Sequence, residues 1–208
     1  MIKSSGTFAF FGLVALVVFA VPARAQTDVA LSLYGAFNGS TNGNGTQQSP
    51  SNQAGGMIEL RHISHPWMGF GVSYSYNRAN QAYAPSSYGC PVLSCSPPPT
   101  PAAVSADAHE LAGVYLVSVK LANLRPFVDG GAGLLFDQPS GSQSSTQSST
   151  KPVFVYGAGL DWGLLPHLGL RLQYRGNLYK APDLTKLYTS TGAFTHSAEP
   201  MIGAYLRF

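Results

Sequence analysis

The sequence predicts an all-β fold: an eight-stranded antiparallel up-and-down transmembrane β-barrel. Three observations point there. Segments alternate between apolar residues and polar or small ones, so each has one apolar face and one that is not. The connections run long, short, long, short, as in barrels that carry long loops on one side of a membrane and tight turns on the other. Charged residues make up only 10% of the chain, against about 25% in a soluble globule. No window looks like a spanning helix of about 20 residues, whereas lipid outside and a polar interior explain all three observations.

The first segment is a targeting signal rather than part of the fold. Lys3 supplies a positive start, Phe8 to Val21 is an unbroken apolar-plus-Gly run, and Ala23-Arg24-Ala25 places small residues where a signal peptidase reads them. The run is too short for a transmembrane helix. Residues 1–25 are therefore expected to be cleaved, leaving residues 26–208 as one barrel domain. No Cys follows the run, which argues against a lipid-modified N-terminus. Loss of Lys3 and Arg24 lowers the formal charge from +3 to +1, too little for a nucleic-acid surface.

Eight strands follow. The first, about 27–38, turns Val29, Leu31, Leu33 and Phe37 outward. The second, about 54–64, turns Ile58 and Leu60 outward and Glu59 and Arg61 inward. The third, about 67–78, has Phe70, Val72, Tyr74 and Tyr76 outside, with Gly69, Gly71, Ser73 and Ser75 inside. The fourth, about 107–119, turns out Leu111, Tyr115, Val117 and Val119. The fifth, about 124–137, turns out Val128, Leu134 and Phe136 and turns in Arg125 and Asp129. The sixth, about 152–162, turns out Phe154, Tyr156, Leu160 and Trp162. The seventh is cleanest: Leu168, Leu170, Leu172, Tyr174 and Leu178 share one face, and Arg171, Gln173, Arg175 and Asn177 the other. A helix would mix these residues on every side, and a soluble sandwich would hardly place two arginines on an inner face. The eighth, about 197–208, ends with Leu206 and Phe208 outward and Arg207 inward.

Long polar stretches fall at 39–53, 79–106, 138–150 and 181–196, and short turns at His65-Pro66, 120–123 and 163–167. The long stretches are too polar to bury a core of their own. Aromatic residues fall at two levels of the outward face: Phe37, Tyr76, Phe136 and Phe154 towards the long loops, and Trp67, Trp162 and Phe208 towards the short turns. Amphipathic rings belong at headgroup level.

An eight-stranded barrel has an interior that side chains can fill. The inward faces carry the acids Glu59, Glu110, Asp129, Asp161 and Glu199 and the arginines Arg61, Arg125, Arg171, Arg175 and Arg207. Charges removed from water need partners, so these residues are expected to form an ion-pair plug, with Arg125 and Asp161 the best candidate pair. Gly69, Gly71, Gly131, Gly133, Gly157 and Gly159 are expected to make room for the arginines and to ease sharp curvature. In the second long stretch, Cys90 and Cys95 flank Pro91 and suit a small disulfide loop in an exported chain, with a metal or redox site as the rival reading.

The terminal Gly203, Leu206 and Phe208, the Leu168–Leu178 alternation, and Arg125-Pro126-Phe127 leading into a Gly-rich strand resemble the small eight-stranded outer-membrane barrels, the outer-membrane protein A-like transmembrane domains. The resemblance covers the whole mature chain. Gly203, Leu206 and Phe208 look like that family's C-terminal assembly signal, although the signal usually begins with a polar residue where Met201 stands. The resemblance implies insertion into the outer membrane of a Gram-negative-type bacterium and a structural or surface-interaction role through four long extracellular loops. Its implied partners are outer-membrane lipid and lipopolysaccharide, the barrel-assembly machinery, and an unidentified ligand of the loops. No peptidoglycan-binding domain is expected after Phe208, so a tethering role is not carried over.

Some small barrels are lipid A deacylases with an outward Ser-His-acid set. His62 and Ser64 both point outward, but at the periplasmic end, away from the outer leaflet where lipid A lies. His109 lies at the right height and lacks an evident Ser partner, and His62 with His65 is a weak metal pair. His65, His167 and His196 read as solvated. The expectation is a non-enzymatic barrel without cofactor, catalytic residues or metal ligands, with an outer-membrane lipid hydrolase and a narrow pore as the alternatives.

Overall fold

Hydrogen bonding between the first and last strands makes this sheet a closed barrel. The computed structural model describes residues 26–65, 67–86, 100–140 and 145–208. The strands are β1 (Gln26–Asn38), β2 (Thr41–Gly43), β3 (Thr46–Pro50), β4 (Gln53–Ile63), β5 (Met68–Pro85), β6 (Ala102–Ser118), β7 (Leu124–Pro139), β8 (Ser149–Gly163), β9 (Leu168–Lys180) and β10 (Phe194–Arg207). Every pairing is antiparallel, and the ring runs β1-β4-β5-β6-β7-β8-β9-β10 and back to β1. Eight strands form the ring, while β2 and β3 are a hairpin added to the outer end of β5.

Alternation sets which face meets which surroundings. Along β1, Leu31 (68% exposed) and Leu33 (71%) point out while Ala30, Ser32 and Tyr34 are buried. Tyr115, at 74% exposed, does the same on β6. A continuous belt of such residues exceeds what soluble monomers expose, and lipid is the solvent that suits it. Trp67, Trp162 and Phe208 lie exposed at the short-turn end, and Phe37, Tyr76 and Phe154 at the other.

The short turns are closed by backbone hydrogen bonds. His65 and Met68 exchange bonds of 3.2 and 3.4 Å, Leu121 and Leu124 bonds of 2.8 and 2.9 Å, and Leu165 and Leu168 bonds of 2.9 and 3.3 Å. Pro66 lies outside the described residues, as do the signal segment 1–25 and both cysteines of the expected disulfide, Cys90 and Cys95.

The strands overrun the expected boundaries at the long-loop end. The third barrel strand continues to Pro85 rather than 78, the fourth starts at Ala102 rather than 107, and the last starts at Phe194 rather than 197. In these extensions the outer face carries polar or small residues such as Arg78, Asn80 and Ser105, while the inner face stays buried with Ala79, Gln81 and Tyr83, so pairing continues without an outward apolar stripe to mark it. The stretch 39–53, expected as a loop, holds the β2–β3 hairpin. Its two-residue turn has positive φ at both positions, Asn44 (50°) and Gly45 (75°), the arrangement that Asn-Gly favours because it matches strand twist.

The segment between β9 and β10 folds back over the barrel end. Leu184 is fully buried there with Tyr83, Val104 and Ala106. The Tyr83 hydroxyl donates to the Pro182 carbonyl at 3.0 Å and accepts from the Leu184 N–H at 3.2 Å. Gln48 of the added hairpin also donates to Pro182, at 3.0 Å. This polar segment buries one leucine against the barrel wall, which it could not do alone. Burial pushes the Tyr83 phenol up from its ordinary pKa.

Candidate functional site

Because alternate residues of every strand point inward, charged side chains that are distant in sequence meet in the barrel interior. They form two layers. In the one nearer the short turns, Arg171 is fully buried and is the hub. It donates to Asp161 through Nε (2.6 Å) and Nη2 (3.1 Å), to Glu59 through Nη1 (2.9 Å), and to Asp28 through Nη2 (2.8 Å). Arg61 lies 2.9 Å from Glu59 and 3.7 Å from Asp129, donates to Gln173 at 3.1 Å, and sits 4.1 Å over the Phe127 ring. Gln173 donates in turn to Asp129 at 3.1 Å. One planar fork with five N–H donors bridges several carboxylates and grips Asp161 through two of them, a bidentate contact that a lysine ammonium does not offer.

In the second layer Arg175 pairs with Glu110 and donates to Ser73 at 2.9 Å and to Asn177 at 3.2 Å. Asn177 donates to Glu110 at 2.9 Å and to Glu199 at 3.0 Å, and Ser197 donates to Glu199 at 3.2 Å. Between this layer and the Leu184 cover lies a cavity of about 20 Å³, lined by Glu110, Asp137, Asn177 and Glu199 among others. That is room for about one water.

The pair expected between Arg125 and Asp161 is not formed. The two residues are register partners on β7 and β8, but Asp161 is held by both Nε and Nη2 of Arg171. Arg125 is left with Nε and Nη1 buried and without a hydrogen-bond partner. Arg207 also lacks a carboxylate; its Nη2 donates to the Tyr205 hydroxyl at 3.1 Å and its Nε has no partner. Glu199 makes neutral hydrogen bonds rather than an ion pair.

The interior is not charge-balanced as expected, because Asp28 and Asp137 are buried there as well. Asp28 was legible: it falls in phase with inward Ala30 and Ser32. The inward glycines do not chiefly serve the arginines. A Cβ on Gly157 would press on the Asp129 carboxylate and one on Gly159 on the Phe127 ring, while Gly71 alone of the six meets an arginine, Arg61 Cγ at 3.3 Å. Two further glycines, Gly55 and Gly169, lie under the rings of inward Tyr34 and Tyr205.

On the outer wall His62 and His109 have partners other than serine, while in the exposed short turn His65 Nδ1 lies 3.4 Å from the Ser64 hydroxyl of the neighbouring residue. His62 Nδ1 lies 3.1 Å from the Thr27 hydroxyl, not beside Ser64. His109 Nδ1 lies 2.8 Å from the Tyr74 hydroxyl. Asp107 accepts from Tyr76 at 2.9 Å and from Ser140 at 2.9 Å. A nucleophile beside its base is what acyl transfer needs, and among the described residues no serine is bonded to His62 or His109.

A family model for the outer membrane protein β-barrel domain matches residues 11–197. The chain belongs to that family. It is an outer-membrane β-barrel, and three solved structures share its fold. Neisserial surface protein A is 16% identical with a TM-score of 0.57, and the match covers 88% of this chain and 97% of that one. Ail, the attachment invasion locus protein of Yersinia pestis, solved with the heparin analogue sucrose octasulfate, is 16% identical with a TM-score of 0.52, covering 88% and 99%. The outer membrane protein OprG of Pseudomonas aeruginosa is 11% identical with a TM-score of 0.55, covering 88% and 96%. No curated protein matches the chain by sequence.

Proposed function

We propose that this barrel is a non-enzymatic surface-interaction protein that presents its outer sheet and loops to an extracellular partner while its interior stays shut. The carrying observation is that the sheet outgrows the lipid belt as β5, β6 and the β2–β3 hairpin, above a lumen filled by two ionic layers and covered by Leu184. An interior so filled argues against a route for solutes and favours the outer surface as the part that meets an extracellular partner. On this reading residues 1–25 direct export and are removed, residues 26–208 are the working domain, and Cys90 and Cys95 staple the loop between β5 and β6. Gly203, Leu206 and Phe208 are read by the assembly machinery.

The hairpin supplies the test. Cells displaying the full chain are compared with cells whose residues 41–50 are replaced by Gly-Ser, for adhesion to immobilised heparin and to matrix proteins. Ail was solved with a heparin analogue, and this chain's outer end carries exposed Arg78 and Lys186, so a sulfated polysaccharide is the first ligand class to try. Adhesion should fall in the variant while the boiling-dependent gel shift persists. Equal adhesion to every surface would sink the reading. Single-channel steps of the wild-type chain in planar bilayers would favour the pore instead.

A further inference from the structure

At the end of the barrel opposite the surface loops, three cationic side chains line one recess whose own lining holds no acid. The recess measures about 330 Å³ and is lined by Lys120 and Asn123 of the β6–β7 turn, Arg125 of β7, Leu164 and Leu165 of the β8–β9 turn, and Arg207 of β10. Arg125 is 7% exposed, and its Nε and Nη1 are buried without partners. The Arg207 Nε is in the same condition. Deeper in the barrel Arg61, Arg171 and Arg175 each have a carboxylate within 4.0 Å. Among the described residues no ion pair is formed by Lys120, Arg125 or Arg207. A buried guanidinium left unpaired is costly, and two that share a recess repel each other.

We propose that this recess binds a phosphate group at the periplasmic face. Guanidinium forks match the oxygens of phosphate in bidentate fashion, and an ammonium at the rim adds a point charge. The surroundings suit a phosphate that carries acyl chains. Leu121, Leu164 and Leu165 are 56%, 46% and 63% exposed around the same turns, where the inner-leaflet headgroups of the membrane lie. Apolar side chains beside a cation are how proteins hold an anionic headgroup at an interface. The shared chemistry is the phosphate, whether on a lipid headgroup or free in the periplasm.

The refolded chain in dodecyl maltoside, a detergent without phosphate, separates the two sources. Inorganic phosphate and phosphatidylglycerol are titrated separately at matched ionic strength, and binding is read by native mass spectrometry and by the shift in thermal midpoint. One phosphate-bearing ligand should bind per barrel. Retention of phosphatidylglycerol alone identifies the lipid headgroup; binding of inorganic phosphate identifies the free anion. The variants Lys120→Gln and Arg207→Gln, which alter exposed or half-buried positions, should each weaken binding about tenfold or more, as loss of a charge-assisted hydrogen bond does. Arg125→Gln should do the same if it refolds; if it does not, the other two variants decide. Absence of binding by both probes, or binding unchanged in K120Q and R207Q, overturns the proposal.

Discussion

Replacing Arg171 with methionine removes the hub of the inner ionic layer while keeping an unbranched chain in its place. Four hydrogen bonds are lost, to Asp28 at 2.8 Å, Glu59 at 2.9 Å and Asp161 at 2.6 and 3.1 Å. The three carboxylates do not suffer equally. Glu59 keeps Arg61 at 2.9 Å, Asp161 keeps only a 4.0 Å approach to Arg61, and Asp28 keeps no ion-pair partner. Breaking a buried pair by removing one partner costs about 3–5 kcal/mol, because the remaining charge stays buried. With Asp28 stranded and Asp161 nearly so, the loss should reach the top of that range, about 5 kcal/mol. The second variant, Arg171→Met with Asp28→Asn, removes the stranded charge and should recover roughly 1–3 kcal/mol. Urea unfolding from phospholipid vesicles measures both, with tryptophan fluorescence as the probe, since Trp67 and Trp162 lie on the lipid-facing side at 53% and 51% exposure. An Arg171→Met barrel within about 1 kcal/mol of wild type, the ordinary size of a point-mutation effect, would refute the view that the interior depends on this hub.

Three other outcomes follow from particular contacts. Gly169→Val places a side chain into the Tyr205 ring; overpacking of this kind costs about 1–3 kcal/mol, to be seen as a lower urea midpoint with the gel shift retained. Leu184→Asp puts a charge where the structure has a fully buried leucine, so the cover should open and trypsin should cut after Lys186 much faster than in wild type, with the barrel strands still protected. Phe208→Ser leaves the Phe208 N–H bond to Thr27 O (2.8 Å) available but deletes the aromatic terminus. The amount assembled in cells should fall, while the purified chain refolded in detergent should still show the boiling-dependent shift.

The membrane-spanning half was legible because two solvents write the pattern. Wherever lipid lies on one side and packed polar groups on the other, residues must alternate, as Leu168 to Leu178 do on β9. Above the lipid the outward residues are no longer apolar, so Asn77 to Pro85 extends β5 without an outward stripe in the sequence to announce it, although its inner face stays buried. One local signal was present there: Asn44-Gly45 between short polar segments is a hairpin turn in sequence as in structure. Which residues face inward was legible; which of them pair was not. Asp161 has an arginine opposite it in register on each side, Arg125 on β7 and Arg171 on β9, and of the two bonds only Arg171; strand position allows both pairs and does not choose between them. Asp28 shows the converse, since its phase marks it as inward even without any knowledge of its partner.

The seam between β1 and β10 joins the first and last described strands, with Asp28 opposite Arg207 and Val29 opposite Leu206. Contacts so distant along the sequence form slowly, since nearly the whole chain must be organised before they reward it. Until β10 has been made, β1 has one barrel neighbour and an unsatisfied edge, a template for the wrong partner. The protein therefore cannot finish folding as it is made. Closure of the ring is the step that removes the last unpaired edge of β1. Lesions confined to the seam should accordingly appear as slow assembly and degradation of the unclosed chain rather than as a fragile finished product.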